Sequence, residues 1–233
     1  MSQREHKRRA IGMIVPSSNR VVERVATRML ATHPDIDLCV ARVPYGGIVE
    51  GDACPRYRLE TFDAAAALLA DAGVDVMCWN ATRGAILGFA PDRELCQRIE
   101  HRTGIAAVTT AIATLELLAK RGGERIGFIT QGDESEAAEV SQRFRSEGVD
   151  VAAQSWLGIV HNLDAARFDP DELLARIDDL ATRSSLDTVV VWSTNLPGFA
   201  ARLGAPPAWS VEVLDSAEIG VQVALDSLNR RHI

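Results

Sequence analysis

Long apolar runs are missing from this chain. None approaches the roughly 20 residues that a membrane-spanning helix needs, so no membrane partner is expected. The N-terminal MSQREHKRRAIGMIV carries basic residues but no apolar stretch of signal-peptide length before Pro16. A cytoplasmic location is the expectation, with residues 1–9 as a flexible tail. Positive charge is also in short supply: 25 Lys and Arg stand against 32 Asp and Glu, for a net charge of −7. That balance argues against nucleic acid or an anionic membrane as partner.

Histidine and cysteine are too few and too scattered for a metal centre. The five histidines show no ligand spacing, and the four cysteines form no C-x-x-C pair, so no metal is expected. Cys39 and Cys78 lie in apolar strand-like runs, where a buried reduced thiol is the default. Cys54 lies in a polar Gly/Pro loop and is the cysteine most open to solvent. G-x-G-x-x-G, a P-loop, G-x-S-x-G and H-E-x-x-H are all absent, which removes the common signatures of dinucleotide, nucleotide, serine-hydrolase and zinc chemistry.

What remains is an ordinary globular composition, 47% hydrophobic and 24% charged, over a length sufficient for one large or two small domains. Short β-branched runs alternate with segments of helical period. Strand-like IGMIV (11–15), DLCVARV (37–43) and VDVMCW (74–79) are separated by helical segments to about Ala31 and over 59–72. The pattern then restarts with RIGFIT (125–130), a helix over 136–148, VDVAAQSW, a helix over 170–183 and LDTVVVW (186–192). Ile11-Gly12 matches Ile126-Gly127, and Asp75 precedes Ala81 by the same step that separates Asp187 from Ser193. Two generic βα units or a true duplication would both give this register. Such alternation predicts α/β architecture with parallel sheets covered on both faces, and ligands in such sheets bind beyond the carboxyl ends of the strands.

Four polar segments leave those ends: PSSN (16–19), NATRG (80–84), TQGDE (130–134) and STNLPG (193–198). Ser17, Ser18 and Asn19 either seat a carboxylate on helix N–H groups or cap the helix. Asn80, Thr82 and Arg83 offer donors, with Arg83 able to clamp a carboxylate in two-point fashion or to sit in solvent. Ser193, Thr194 and Asn195 close a strand that has no packing use for them, unless they cap their own turn. Trp79 and Trp192 suit a core, and His161 a loop. Asp133 and Glu134 open a helix, where acids are favoured by the dipole.

IGMIVPSSNRVVE, VDVMCWNATRGAILG, VTTAIATLELLAKRGGERIGFIT and VVVWSTNLPG resemble the aspartate/glutamate racemase superfamily, in the branch of maleate cis–trans isomerases and arylmalonate decarboxylases. The resemblance implies two pseudo-symmetric Rossmann-like lobes with the active-site cleft between them. They are expected over 10–108 plus 212–233 and over 109–211, the C-terminal helix returning to the first. It implies cofactor-independent isomerase, decarboxylase or racemase chemistry on a small mono- or dicarboxylate, with a thiol at one or both matching strand ends. Relatives are commonly dimeric or larger, so a homo-oligomer is open to it. Here the two thiol positions are Ala81 and Ser193, and the tyrosine of a frequent T-P-Y is missing from Thr130-Gln131-Gly132. The expected binding set is Ser17, Ser18, Asn19, Asn80, Ala81, Thr82, Arg83, Thr194 and Asn195. Ser193 is the catalytic candidate, as proton donor more than nucleophile, because a hydroxyl needs a strong base to become an anion. Cys54, in the long 44–58 loop, is a second source of sulfur. A hydrolase or a non-catalytic carboxylate-binding protein on the same cleft are the alternatives.

Overall fold

The computed structural model describes residues 8–44, 58–82 and 86–230. Arg83, Cys54 and nearly all of the 44–58 loop lie outside them. Elements run in the order β1 (Arg9–Pro16), α1 (Val22–Leu30), β2 (Ile36–Val43), α2 (Leu59–Asp71), β3 (Val76–Trp79), α3 (Ala90–Thr103), β4 (Ala106–Thr109) and α4 (Thr110–Ala119). They continue through β5 (Ile126–Thr130), α5 (Glu134–Ser146), β6 (Val151–Trp156), α6 (Asn162–Ala165), α7 (Pro170–Ser184), β7 (Thr188–Trp192), α8 (Gly198–Gly204), β8 (Glu212–Asp215) and α9 (Ser216–Arg230). Among these described residues no helix is long and apolar enough to cross a membrane.

The strands form two parallel four-stranded sheets of identical plan, β2-β1-β3-β4 and β6-β5-β7-β8. Each is buried on both faces. In β1 and β3, Ile11, Met13, Val76 and Cys78 face one apolar cluster while Ile14, Met77 and Trp79 face another, as the two-residue period of a strand requires. Ile11 lies beside Val76 and Ile126 beside Thr188, so Ala81 and Ser193 fall at equivalent points past the two strands. The lobes repeat in detail: Asp75 accepts a hydrogen bond from Ala10 N and Asp187 one from Arg125 N, both at 2.8 Å. Gly12 and Gly127 hold equivalent helix-facing positions, against Leu69 and Val74 in one lobe and Leu180 and Leu186 in the other.

Two expected bounds shift, and two short strands are added. The tail ends earlier than residue 9: Arg9 begins β1, with its N–H on Asp35 O, and Arg8 pairs with Asp37. Opposite charges on β2 and just before it, Asp37 for Arg8 and Asp35 for Arg9, pair with both arginines. The return to the first lobe comes later than residue 212, because Glu212–Asp215 pairs with β7 as the fourth strand of the second sheet. Only α9 crosses back, where Ala217, Val221, Ala224, Leu225 and Leu228 complete the first lobe's core. Finally, the fourth strands β4 and β8 are elements that periodicity did not reveal, each only four residues long.

Candidate active site

In each sheet the chain reverses direction of travel beside the first strand, between β1 and β3 and between β5 and β7. That crevice is where a doubly wound sheet holds ligands. A cavity of about 60 Å³ lies at the meeting point of the two crevices. Its lining comes from Pro16 and Asn19 after β1, Ala81 and Thr82 after β3, Gln131 after β5 and Ser193, Thr194 and Asn195 after β7. Ile86, Glu136, Val140, Asn162 and Trp192 complete it. A single water needs about 10–15 Å³ measured this way, so the space suits a ligand of few heavy atoms.

The structure brings together most of the expected residues, but it gives several of them internal duties. Asn19 is the clearest. Its Nδ2 donates to Thr194 O and Thr194 Oγ1, both at 3.1 Å, and its Oδ1 accepts from Val21 N and Val22 N, both at 3.0 Å. An asparagine side chain has two N–H donors and two acceptor lone pairs, so this one is fully engaged in capping α1 and tying the lobes together. Asn195 does likewise: its Oδ1 accepts from Arg20 N and its Nδ2 donates to Asn162 O. Thr194 Oγ1 donates to Asn80 O.

Arg42 reinforces the first loop from behind, donating to the carbonyls of Pro16, Ser17 and Asn19 while pairing with Glu23. The N–H groups of Ser17 and Asn19 bond Val43 O and Pro16 O. The N–H groups expected to seat a carboxylate on PSSN are therefore largely satisfied by the protein itself. Ser17 is exposed and Ser18 accepts from Asn162 Nδ2 at 2.8 Å; neither is part of the cavity wall. Asn80 stands apart too. It is fully buried, donating to Ala217 O and accepting from Thr110 Oγ1, with Gly220 leaving it the room.

Thr82, Ser193, Gln131 and Glu136 are the remaining polar side chains of the wall. Ser193 Oγ donates to Gln131 Oε1 at 2.9 Å and accepts from Asn195 N at 3.3 Å. An amide carbonyl orients a hydroxyl but does not remove its proton, so the hydroxyl is placed as a donor. Ala81 lines the same cavity with a methyl group. The sulfur of Cys78 is directed elsewhere: it is buried on the opposite face of β3, its Sγ donates to Gly220 O at 3.2 Å, and burial raises its pKa far above the ordinary thiol range. Cys96 is likewise pushed up to about 12 by burial. Neither is a thiolate near neutral pH.

Gln131, Glu136, Asn162 and Arg42 were not singled out from the sequence. A signal for Glu136 existed: Asp133-x-x-Glu136 is a capping-box spacing, and Asp133 does accept from Glu136 N at 2.9 Å. The Glu136 carboxylate, however, accepts from Gly132 N at 3.2 Å and lines the cavity. In IVHNLD it is Asn162 that faces the site, while its neighbour His161 is exposed. Trp192 serves both core and cavity, packing edge-on against Phe144. No group of His, Cys, Asp and Glu able to hold a metal occurs among the described residues.

No protein-family model matches the chain, and no curated protein matches it by sequence. Solved structures do. The maleate isomerase of Pseudomonas putida S16, in a cysteine-to-alanine variant with maleate, superposes with a TM-score of 0.83 at 22% identity, over 95% of this chain and 92% of that one. The maleate cis–trans isomerase of Nocardia farcinica, bound to Tris, gives 0.80 at 20% identity over 95% and 92%. Unliganded arylmalonate decarboxylase gives 0.74 at 21% identity over 94% and 91%. The chain has the two-lobed fold of the maleate isomerases and arylmalonate decarboxylases.

Proposed function

We propose that the chain is a cofactor-independent enzyme acting on a small mono- or dicarboxylate, of isomerase or lyase type, in which sulfur chemistry has been replaced. The observation that carries this is the placement of Ala81 and Ser193, at equivalent strand ends, on one small cavity between lobes of this fold. In the similar Nocardia isomerase a cysteine-to-serine variant holds a covalently bound succinylcysteine intermediate. Here the described wall offers no thiol for such a bond. Thr82 binds the substrate through its hydroxyl, while Ser193, held by Asn195 N, turns its single O–H from Gln131 Oε1 to the ligand and gives that proton to the carbanion-like carbon, regaining one from solvent water. Arg83, beside Thr82, is proposed as the clamp on a carboxylate.

A second reading is favoured by one feature: Ser193 has an amide, not a base, as its hydrogen-bond acceptor. It is a carboxylate-binding protein without turnover. A panel of malonate, maleate, succinate and arylmalonates separates the two. A ligand at a hundredfold excess over its Kd stabilises the native state by about 2.7 kcal/mol, several degrees in Tm at this size. Binders are then followed by NMR in deuterated water for geometric change, α-proton exchange or loss of CO₂. Turnover supports the enzyme, binding alone supports the second reading, and no binding at all ends both. Replacing both positions together, Ala81→Cys with Ser193→Cys, is expected to add or raise turnover. A double variant that binds substrate without any gain would show that the equivalence of these positions has no chemical meaning.

A further inference from the structure

We propose that Trp192 sets the upper size of the substrate: it closes one side of the cavity, so that a small carboxylate is taken and the same carboxylate bearing an aromatic ring is refused. This rests on the small-carboxylate reading above and adds a limit to it.

The cavity borders an apolar cluster of the second lobe, and Ile86, Val140 and Trp192 belong to both. Along β7 the two-residue period of a strand sends Val190 and Trp192 to that cluster and Val189 and Val191 to another. The alternation that buries Trp192 therefore also brings it to the wall, directly before Ser193 in the chain. It is the largest side chain of the described wall. Its ring is fixed by neighbours: it meets Phe144 edge-on at 5.0 Å and Phe128 at 6.0 Å, separations at which aromatic pairs attract. Phe144 is held in turn by Phe89 at 5.1 Å and by Phe128 at 4.6 Å. All four rings are buried, and the backbone of Trp192 pairs with Thr130 in the sheet. An interior packed in this way does not yield to an added group without strain. The cavity it leaves, about 60 Å³, has the room of about four to six waters, which suits a malonate but not a malonate carrying a phenyl ring. Trp79 ends the matching strand of the first lobe, yet it packs edge-on against Phe62 at 4.9 Å in that lobe's own cluster and is not part of the cavity wall. The limit is imposed from the second lobe alone.

The test compares malonate with phenylmalonate, two probes that share one headgroup, by titration calorimetry on the full chain. The natural chain is expected to bind malonate at least about tenfold tighter, the low end of what a shaped apolar pocket distinguishes. Trp192→Leu should lower that ratio by at least about tenfold, by gaining affinity for phenylmalonate and not by losing malonate. Trp192→Phe keeps a ring against Phe128 and Phe144 and should lower it less; it carries the test if the first variant fails to fold. Phe89→Leu loosens the same ring cluster without bordering the cavity, and should leave the ratio where it is. Equal binding of the two probes by the natural chain, an unmoved ratio in the folded Trp192 variants, or an equal shift in Phe89→Leu would overturn the size limit alone. Binding of neither probe, nor of maleate or succinate, by the natural chain or any variant would overturn it together with the small-carboxylate reading.

Discussion

At the scale of single residues, Asn19 shows how a side chain chosen as a ligand group can be a structural tie. Its four hydrogen bonds cap α1 and reach Thr194, 175 positions away. Asn19→Ala is expected to cost about 1–3 kcal/mol, the sum of a lost cap and an unsatisfied buried partner. Asn19→Asp keeps the acceptor for Val21 N and Val22 N but removes both donors to Thr194, so it isolates the tie between lobes. Urea unfolding measures both. Full stability in Asn19→Ala would show that the network is ornamental. The spacing of PSSN before an apolar run made the cap legible from sequence, because capping is local. The tie to Thr194 was not, because nothing near Asn19 in the chain announces it.

At the scale of elements, the glycines of the first strands are close-packing devices. A Cβ on Gly127 would meet Leu186 Cδ1 at 2.3 Å, while one on Gly12 would lie 3.0 Å from Leu69 and 3.1 Å from Val74. Gly127→Ala is therefore expected to destabilise by about 1–3 kcal/mol through overpacking, and Gly12→Ala by less. Thermal unfolding of the two variants checks the order; a reversed order would mean that the lobes relax differently despite their shared plan. The long, β-branched central strands and glycine-stopped helices were readable because burial on both faces selects continuous apolar runs. The edge strands β4 and β8 are not legible because Ala106–Thr109 (AAVT) and Glu212–Asp215 (EVLD) lack the continuous apolar, fully buried run that marks β3, itself four residues long, and take their strand state from the neighbour they pair with.

At the scale of the whole molecule, α9 makes the two lobes one unit, leaving the second sheet at Asp215 and filling the first lobe's core. Asp215 sits at that crossing, fully buried, its Oδ1 accepting from Glu218 N and its Oδ2 without a well-formed hydrogen bond among the described residues. Burial pushes its carboxyl up to about 7, against the lowering effect of the hydrogen bond from Glu218 N, while the Glu218 charge acts in the same direction as burial; Arg202 pairs with Glu218 beside it. The unfolded carboxyl titrates near 3.9. The folded state therefore holds the proton more tightly, and the stability gained is complete at low pH and lost as pH rises towards about 7. Midpoints of urea unfolding are expected to fall between pH 5 and 8, and Asp215→Asn should reduce that slope. It should not remove it, because Asp92, pushed up to about 6 by burial, acts in the same direction. Parallel profiles for the two proteins would show that Asp215 is not the group responsible.

The sequence by itself determined the alternation of strands and helices, the repeat of one lobe in the other and the strand ends on which a site is built. These follow from local rules: side-chain period, capping and the steric freedom of glycine. Only the tertiary structure decided which polar groups at those ends face the cavity and which are engaged in holding the lobes together. Asn19, Asn80 and Asn195 are turned to partners elsewhere in the chain, and Glu136 is admitted by the bare backbone of Gly132. The physical reason is that a hydrogen-bonding group has few donors and lone pairs, and their use is fixed by whatever the fold brings within about 3 Å, which neighbours in sequence do not specify.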